Sequence, residues 1–388
     1  MRKINKRFFQ IYIILKFCIA KILFLFSKKY YNVWLISERG DEAKDNGYVF
    51  FEYLLKNHPD INTYYVISKK SKDVNRISDK SKIVNYQSFK HILMYINAEY
   101  LISTHLMGFS PEFHCFTKLE KKFAFFKGRG KKIFLQHGII YNYLPALKNE
   151  KLDLFITSAE KEKEFICNEF NFSNKVVKCT GLARYDNLIG KSKNFILVMP
   201  TWRQNLYYMN NTEFMNTPYY KNWNLLLNDK HINEILEKNN LKLFFYPHYE
   251  MQRFLNCFDI KSSNVFLIDS QKYQISDMLR ECKIFITDYS STFFDVAYMK
   301  KPVIFYQFDY NDFYKQHYQR GYLDLKTANF GYRGTKCKEI ISYLDNICKR
   351  KYKIEDIQKK TIDSFYKYHD QNNCDRIYKE IKKLKGVK

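Results

Sequence analysis

Short apolar runs separated by longer amphipathic stretches recur along this chain in two successive series. That rhythm restricts the fold more than any other feature. The first series comprises Val33-Trp34-Leu35-Ile36, Thr63-Tyr64-Tyr65-Val66-Ile67, Tyr100-Leu101-Ile102-Ser103, Lys132-Ile133-Phe134-Leu135 and Leu154-Phe155-Ile156-Thr157. The second comprises Phe195-Ile196-Leu197-Val198-Met199, Leu241-Lys242-Leu243-Phe244-Phe245, Val265-Phe266-Leu267-Ile268, Ile284-Phe285-Ile286-Thr287 and Pro302-Val303-Ile304-Phe305. Such β-branched and aromatic runs fit buried strands, and the segments between them are long enough to hold helices, so βαβ units and parallel sheets are expected. Ten strands exceed one comfortable sheet. The expected fold class is therefore α/β with two Rossmann-like doubly wound domains, residues 31–190 and 191–388, the stretch from Lys349 to Lys388 supplying closing helices.

Residues 1–30 read as a membrane-associating hydrophobic or amphipathic helix. From Phe8 to Phe26 only Gln10, Lys16 and Lys21 interrupt the apolar run, and Arg2, Lys3, Lys6 and Arg7 precede it. Two central lysines are costly in a spanning helix, but they can snorkel from one lying among the headgroups. A true span and the first helix of a soluble domain remain alternatives. Ser27-Lys28-Lys29-Tyr30 follows where a signal peptidase would need small residues. Each of these readings leaves the rest of the chain on the cytoplasmic face.

Sixty-five basic against forty acidic residues give a net charge of +25, which favours polyanionic partners such as an anionic membrane surface or phosphate-rich substrates. The abundance of Lys, Asn, Ile, Tyr and Phe also matches the codon bias of an AT-rich genome, which accounts for part of that excess. Nucleic acid is not an expected partner, because zinc-finger spacing, basic-region heptads and an aromatic RNA-binding signature are all missing. Nine scattered cysteines without a CxxC read as reduced thiols, and no carboxylate or cysteine cluster calls for a metal or other cofactor.

Ligands of open α/β sheets sit beyond the carboxyl ends of the strands, so the residues following each run are the candidates. Asp288-Tyr289-Ser290-Ser291-Thr292 follows a buried strand and precedes an amphipathic segment. One serine suffices to cap a helix, so this hydroxyl-rich turn reads as an anion site. His137-Gly138 follows another strand, the imidazole able to take a proton and the glycine letting a substrate approach the backbone. His248, after Tyr246-Pro247, lies at a third strand end. Taken alone, His137 is more often a capped or core residue, and His248 a hydrogen-bonded loop histidine. Arg203, in Met199-Pro200-Thr201-Trp202-Arg203, and Arg184, after Gly181, offer guanidinium groups suited to phosphate.

Taken in order, these segments resemble the CDP-glycerol glycerophosphotransferase family, the teichoic acid primases and polymerases. The matching stretches are His137-Gly138, Thr180 to Asp186, Met199 to Arg203, Tyr246-Pro247-His248 and Thr287 to Ser291 with Phe294-Asp295. Lys301 to Tyr306, Asp309, Arg320-Gly321-Tyr322 and His369-Asp370-Gln371 through Arg376-Ile377 complete the likeness, which spans roughly residues 90 to 380. The resemblance implies a GT-B-like arrangement, with the donor nucleotide held mainly by the C-terminal domain. It also implies transfer of glycerol phosphate or ribitol phosphate from a CDP-activated donor to a lipid-linked or polymeric envelope acceptor. By position, His137 would be the general base, and His248 would stabilise the diphosphate or departing CMP. Gly138, Arg184, Thr201 and Arg203 would line the donor phosphates, Ser290 and Ser291 would bind them at the helix N-terminus, and Asp295 would contact the donor nearby.

Ile139-Ile140 stand where the family usually has Thr and Pro, and Tyr249-Glu250 where it has a basic residue. The polyol, and a capsule rather than a teichoic acid as product, are therefore left open. Nucleotide-sugar-dependent glycosyl transfer on the same kind of fold is the competing enzymatic reading. A membrane-bound polyanion-binding protein is the non-enzymatic one.

Overall fold

The computed structural model describes residues 2–24, 30–112, 116–269, 272–316 and 319–384. All ten expected strands are present, within a residue at their ends. The N-terminal sheet contains β1 (Val33–Ser37), β2 (Asn62–Ile67), β3 (Ile83–Asn85), β4 (Tyr100–Ser103), β5 (Lys131–Phe134), β6 (Leu154–Thr157) and β7 (Val177–Cys179). The C-terminal sheet contains β8 (Phe195–Met199), β9 (Lys242–Phe245), β10 (Val265–Leu267), β11 (Ile284–Thr287), β12 (Val303–Tyr306) and β13 (Tyr332–Gly334). The strands missing from the sequence reading, β3, β7 and β13, are three-residue edge strands, too short to show a period.

Both sheets are parallel and share one topology, β3-β2-β1-β4-β5-β6-β7 and β10-β9-β8-β11-β12-β13. The central strands β1, β4, β8 and β11 are buried along their whole length, because helices cover both faces of each sheet. That is why they read as unbroken apolar runs. The order of connection reverses between β1 and β4 and again between β8 and β11, which places a crevice at the carboxyl end of each pair.

The first helix, Arg2–Phe24, lies along the helix Phe89–Asn97. Ile13, Phe17 and Ala20 are buried, and Phe17 meets the rings of Tyr95, Phe116 and Phe126. Its other side leaves Phe8, Ile11, Tyr12, Leu15, Ile19 and Ile22 exposed. Among the described residues no helix is long and apolar enough to cross a membrane.

At the other end, the helix Asn373–Lys383 crosses back to the N-terminal half. Tyr378 stacks on His58 and lies near Trp34, and the Tyr100 hydroxyl donates to the Leu384 carbonyl at 3.2 Å. Two stretches of the family-like pattern explain this docking. Asp186 accepts from the Asn373 backbone and side chain and from Cys374 N, at 2.7–2.9 Å, and thereby satisfies the first turn of the helix. Arg376 pairs with Asp370 and donates to the Thr180 carbonyl. Gly181 has φ +85, and a Cβ there would lie 1.8 Å from Asn373 Oδ1. Gly181→Ala should therefore cost about 2–4 kcal/mol through left-handed strain and overpacking. The expected sign is a lower urea midpoint and earlier proteolysis of the last helix; an unchanged midpoint would show that the turn relaxes freely.

Candidate active site

The carboxyl ends of the two sheets face each other across a seam, and the loop leaving β5 is held there from several directions. Gln136 turns the chain with φ 47, and its side-chain amide donates to the Ile156 carbonyl and to Glu162. The buried Glu162 carboxyl also accepts from Ile140 N at 2.8 Å and Ser158 N at 2.9 Å. Burial pushes Glu162 up to about 7 against the pull of these donors. Asn46 Nδ2 donates to the Gln136 carbonyl at 2.7 Å, while Asn46 Oδ1 accepts from Arg184 N at 2.9 Å. His137-Gly138 thus projects from a braced turn.

His137 is exposed to solvent, with the His105 ring and the Arg184 and Arg39 charges beside it. Desolvation, helped by the charges of Arg184 and Arg39 and opposed by Asp45, lowers its pKa, so the neutral base form prevails. The ring stacks on His105, with centroids 4.8 Å apart and planes 12° apart. His248 follows β9 with its ring near that of Trp202. Its Nδ1 accepts from Glu250 N at 3.3 Å, which leaves the proton of the neutral ring on Nε2. Burial lowers its pKa to about 4.

Arg184 ties the halves together. Its Nε and Nη2 form a bidentate pair with Asp295 at 3.0 and 2.8 Å. Nη1 donates to Asp45 Oδ1 at 2.7 Å and to the His137 carbonyl at 2.5 Å. Asp45 also caps the helix Asn46–Asn57. Above this clamp the Tyr141 hydroxyl donates to the Tyr289 carbonyl at 2.5 Å. A Cβ built on Gly138 would stand 3.6 Å from both Arg184 Nη2 and Ser291 Oγ, so the glycine leaves a small space that both face.

Arg203 sits one layer deeper. It pairs with Asp309 through Nε and Nη2 and with Asp288 through Nη2 at 2.8 Å, and Nη1 returns to the Thr201 and Trp202 carbonyls. All five of its N–H donors are engaged within the protein. Asp288 also accepts from Thr201 N and Tyr289 N, locking the exits of β8 and β11 in register.

Beyond Tyr289 the Ser290 hydroxyl bonds to that of Thr292 at 2.8 Å. The helix that follows, Phe293–Tyr298, has only six residues. Phe293 N and Phe294 N already bond to the Ser290 and Ser291 carbonyls, so the half-buried hydroxyls, rather than those amides, are what this turn presents.

His137, Gly138, Arg184, Ser291 and Asp295 therefore meet at one point; Thr201 is tied to Asp288 beside this turn, and His248 feels the same Arg39 charge as His137. Arg184 and Asp295, two separate donor contacts in the sequence reading, are partners of each other. Sequence reasoning passed over Asp45, Glu162, Arg39 and His105. The last two follow the central strands β1 and β4, so the strand-end rule applied to the first half would have found them. Among the described residues no group of His, Cys, Asp and Glu is arranged to hold a metal ion, and the described cysteines are free thiols.

Two parallel sheets of this order, meeting at their carboxyl ends, define a two-lobed α/β fold. It is shared with the wall teichoic acid polymerase TagF soaked with CDPG (TM-score 0.70, 18% identity, 98% of this chain and 97% of that chain). A putative UDP-N-acetylglucosamine 2-epimerase from Listeria monocytogenes is more distant (TM-score 0.53, 14% identity, 91% and 96%). The profile of CDP-Glycerol:Poly(glycerophosphate) glycerophosphotransferase matches residues 18–383, and the chain belongs to that family. It is 31% identical over 380 residues to the minor teichoic acid biosynthesis protein GgaB of Bacillus subtilis, covering 94% of this chain and 41% of GgaB. To the teichoic acid ribitol-phosphate polymerase TarL of Staphylococcus aureus it is 27% identical over 189 residues, covering 44% and 32%. The chain thus spans less than half the length of these curated relatives.

Removing Asp295 would leave the Arg184 guanidinium, whose side chain is only 13% exposed, with Asp45 as its one carboxylate. Asp295→Ala is expected to cost about 3–5 kcal/mol, and Arg184→Met with Asp295→Leu to recover most of it. Urea unfolding measures both; a single mutant as stable as the parent would show that this pair does not join the halves.

Proposed function

We propose that this chain transfers a polyol phosphate, glycerol phosphate or ribitol phosphate, from a CDP-activated donor to a lipid-linked or polymeric cell-envelope acceptor, releasing CMP. The observation that carries this reading is His137, its pKa lowered by desolvation, braced at the seam beside Gly138, Ser291 and Arg184, in a chain whose family match runs from residue 18 to 383. In the step envisaged, the acceptor hydroxyl oxygen attacks the phosphorus of the polyol phosphate and a new P–O bond forms. The bond to the bridging oxygen breaks, its electron pair leaves with CMP, and the hydroxyl proton passes to His137. His248, with its proton on Nε2, faces the departing diphosphate oxygen. Gly138, Ser290, Ser291 and the Thr201 turn line the donor phosphates. Arg184, Asp295 and Arg203 shape that wall, Arg184 keeping one Nη2 proton for the ligand. Residues 31–190 form the acceptor side and 191–388 the donor side.

The test is CMP release by the full chain from CDP-glycerol, CDP-ribitol and a set of nucleotide sugars, with envelope acceptor supplied. His137→Ala should lower turnover of one CDP-polyol about 100- to 10,000-fold. Turnover of a nucleotide sugar alone would move the protein to glycosyl transfer. Because the His137 pKa lies below 6.5, the acid limb of the rate should fall below that pH. An acid limb at higher pH would remove His137 as the base.

We further infer that the protein works on the cytoplasmic surface of the membrane. The helix Arg2–Phe24 supports this, since it presents exposed Leu15 and Ile19 beside Lys16 and Lys21. Leu15→Asp with Ile19→Asp should abolish cosedimentation with phosphatidylglycerol vesicles while CMP release from soluble substrates persists. Retained binding would place the membrane contact elsewhere.

A further inference from the structure

Arg39 is the second residue past β1, and its backbone is fixed on both sides. The buried Glu38 before it accepts from Lys44 N, Asp45 N and Tyr48 N at 2.9–3.1 Å, anchoring the strand exit to the helix Asn46–Asn57. Gly40 after it turns the chain with φ +84 against the ring of Tyr86, which a Cβ would meet at 2.8 Å. From this turn Arg39 Nε donates to His105 Nε2 at 3.1 Å. A guanidinium can only donate, so His105 Nε2 accepts. The ring proton therefore sits on Nδ1, 2.8 Å from Thr104 Oγ1. Burial first, and then the neighbouring His137 and Arg39, lower the His105 pKa to about 2, so this acceptor stays neutral.

Neither Nη of Arg39 makes a hydrogen bond among the described residues, and the nearest carboxylate, Glu42, is 3.9 Å from Nε. An arginine serving only as surface charge would be expected to close on that carboxylate or lie along apolar surface. Here the inner nitrogen is fixed on a neutral ring and the outer fork is left open, the geometry that suits bidentate phosphate binding. The charge acts on both walls of the seam, depressing the pKa of His137 on one side and of His248 on the other. The other two seam arginines are committed, Arg184 to Asp295, Asp45 and the His137 carbonyl, and Arg203 to Asp288 and Asp309.

We propose that Arg39 is a catalytic residue that holds the non-bridging oxygens of the transferred phosphoryl group in its Nη fork, and that His105 is the positioning residue that aims it. This rests on the phosphotransfer reading above and adds the group that meets the charge on the equatorial oxygens while His137 takes the proton.

The full chain is assayed for CMP release with Arg39→Gln, Arg39→Lys, His105→Asn and His105→Leu. Arg39→Gln should lower kcat about 100- to 1000-fold, with KM for the CDP-polyol changing far less. Arg39→Lys should restore only part, lacking both the fork and the Nε anchor. His105→Asn keeps an acceptor for Nε and should exceed His105→Leu. Melting temperatures should stay at the parent value in both Arg39 variants, separating this role from a structural one. An unchanged kcat in Arg39→Gln overturns the proposal, as does a loss matched by unfolding. If the parent turns over no CDP-polyol, the phosphotransfer reading fails on its own. Calorimetric binding of inorganic pyrophosphate then decides: weaker in Arg39→Gln supports an oxyanion contact, and equal in both overturns it.

Discussion

A single guanidinium, that of Arg184, touches almost every part on which this site depends. It neutralises Asp295 from the C-terminal half and Asp45 at the head of a helix in the N-terminal half, and it holds the carbonyl of the histidine we assign as the base. Buried ion pairs contribute little net stability against apolar alternatives, but they impose one geometry and are costly to break singly. The seam is built on that property. Hydrophobic contact alone would let the halves slide, whereas a bidentate pair and a second carboxylate permit one alignment. Asn46 extends the constraint, since its two amide atoms bond the Gln136 carbonyl and the Arg184 amide.

The electrostatics around this clamp divide the labour. Carboxylates and guanidinium groups are consumed in pairs: Arg184 with Asp295 and Asp45, Arg203 with Asp288 and Asp309. The histidines are kept neutral by burial and by nearby positive charge, at about 2 for His105 and about 4 for His248, with His137 also lowered. A neutral imidazole can accept a proton, whereas an imidazolium cannot. Surroundings that disfavour the cation therefore preserve the form a general base needs.

How much of this the sequence disclosed follows from the range of each interaction. The central strands were legible because burial on both faces makes them continuous apolar runs, while β3, β7 and β13, three residues each at sheet edges, carry no such signal. His137, His248 and the hydroxyls after Tyr289 were legible as strand-end residues. Their pairings were not: Arg184 and Asp295 lie 111 positions apart, and nothing local in either marks the other as partner. The same blindness hid the partners of Arg203, which pairs with Asp288 and Asp309 inside the fold. Conversely Arg39, within Glu38-Arg39-Gly40-Asp41, looks like an ordinary polar turn, and only the His105 ring beneath it distinguishes it. The stretches around Gly181 and Asp370, both part of the family-like pattern, form the two sides of a helix dock.

That dock has a mechanical side. The backbone passes between the halves twice, once through the segment after β7 and once before the helix Asn373–Lys383, and the two passages lie side by side, bonded where Arg376 meets the Thr180 carbonyl. Two adjacent, mutually bonded crossings hold the halves as a double strap rather than a single cord. Cutting either crossing would therefore leave the chain a second tie between the halves, beside the Arg184 clamp and the Tyr141–Tyr289 bond.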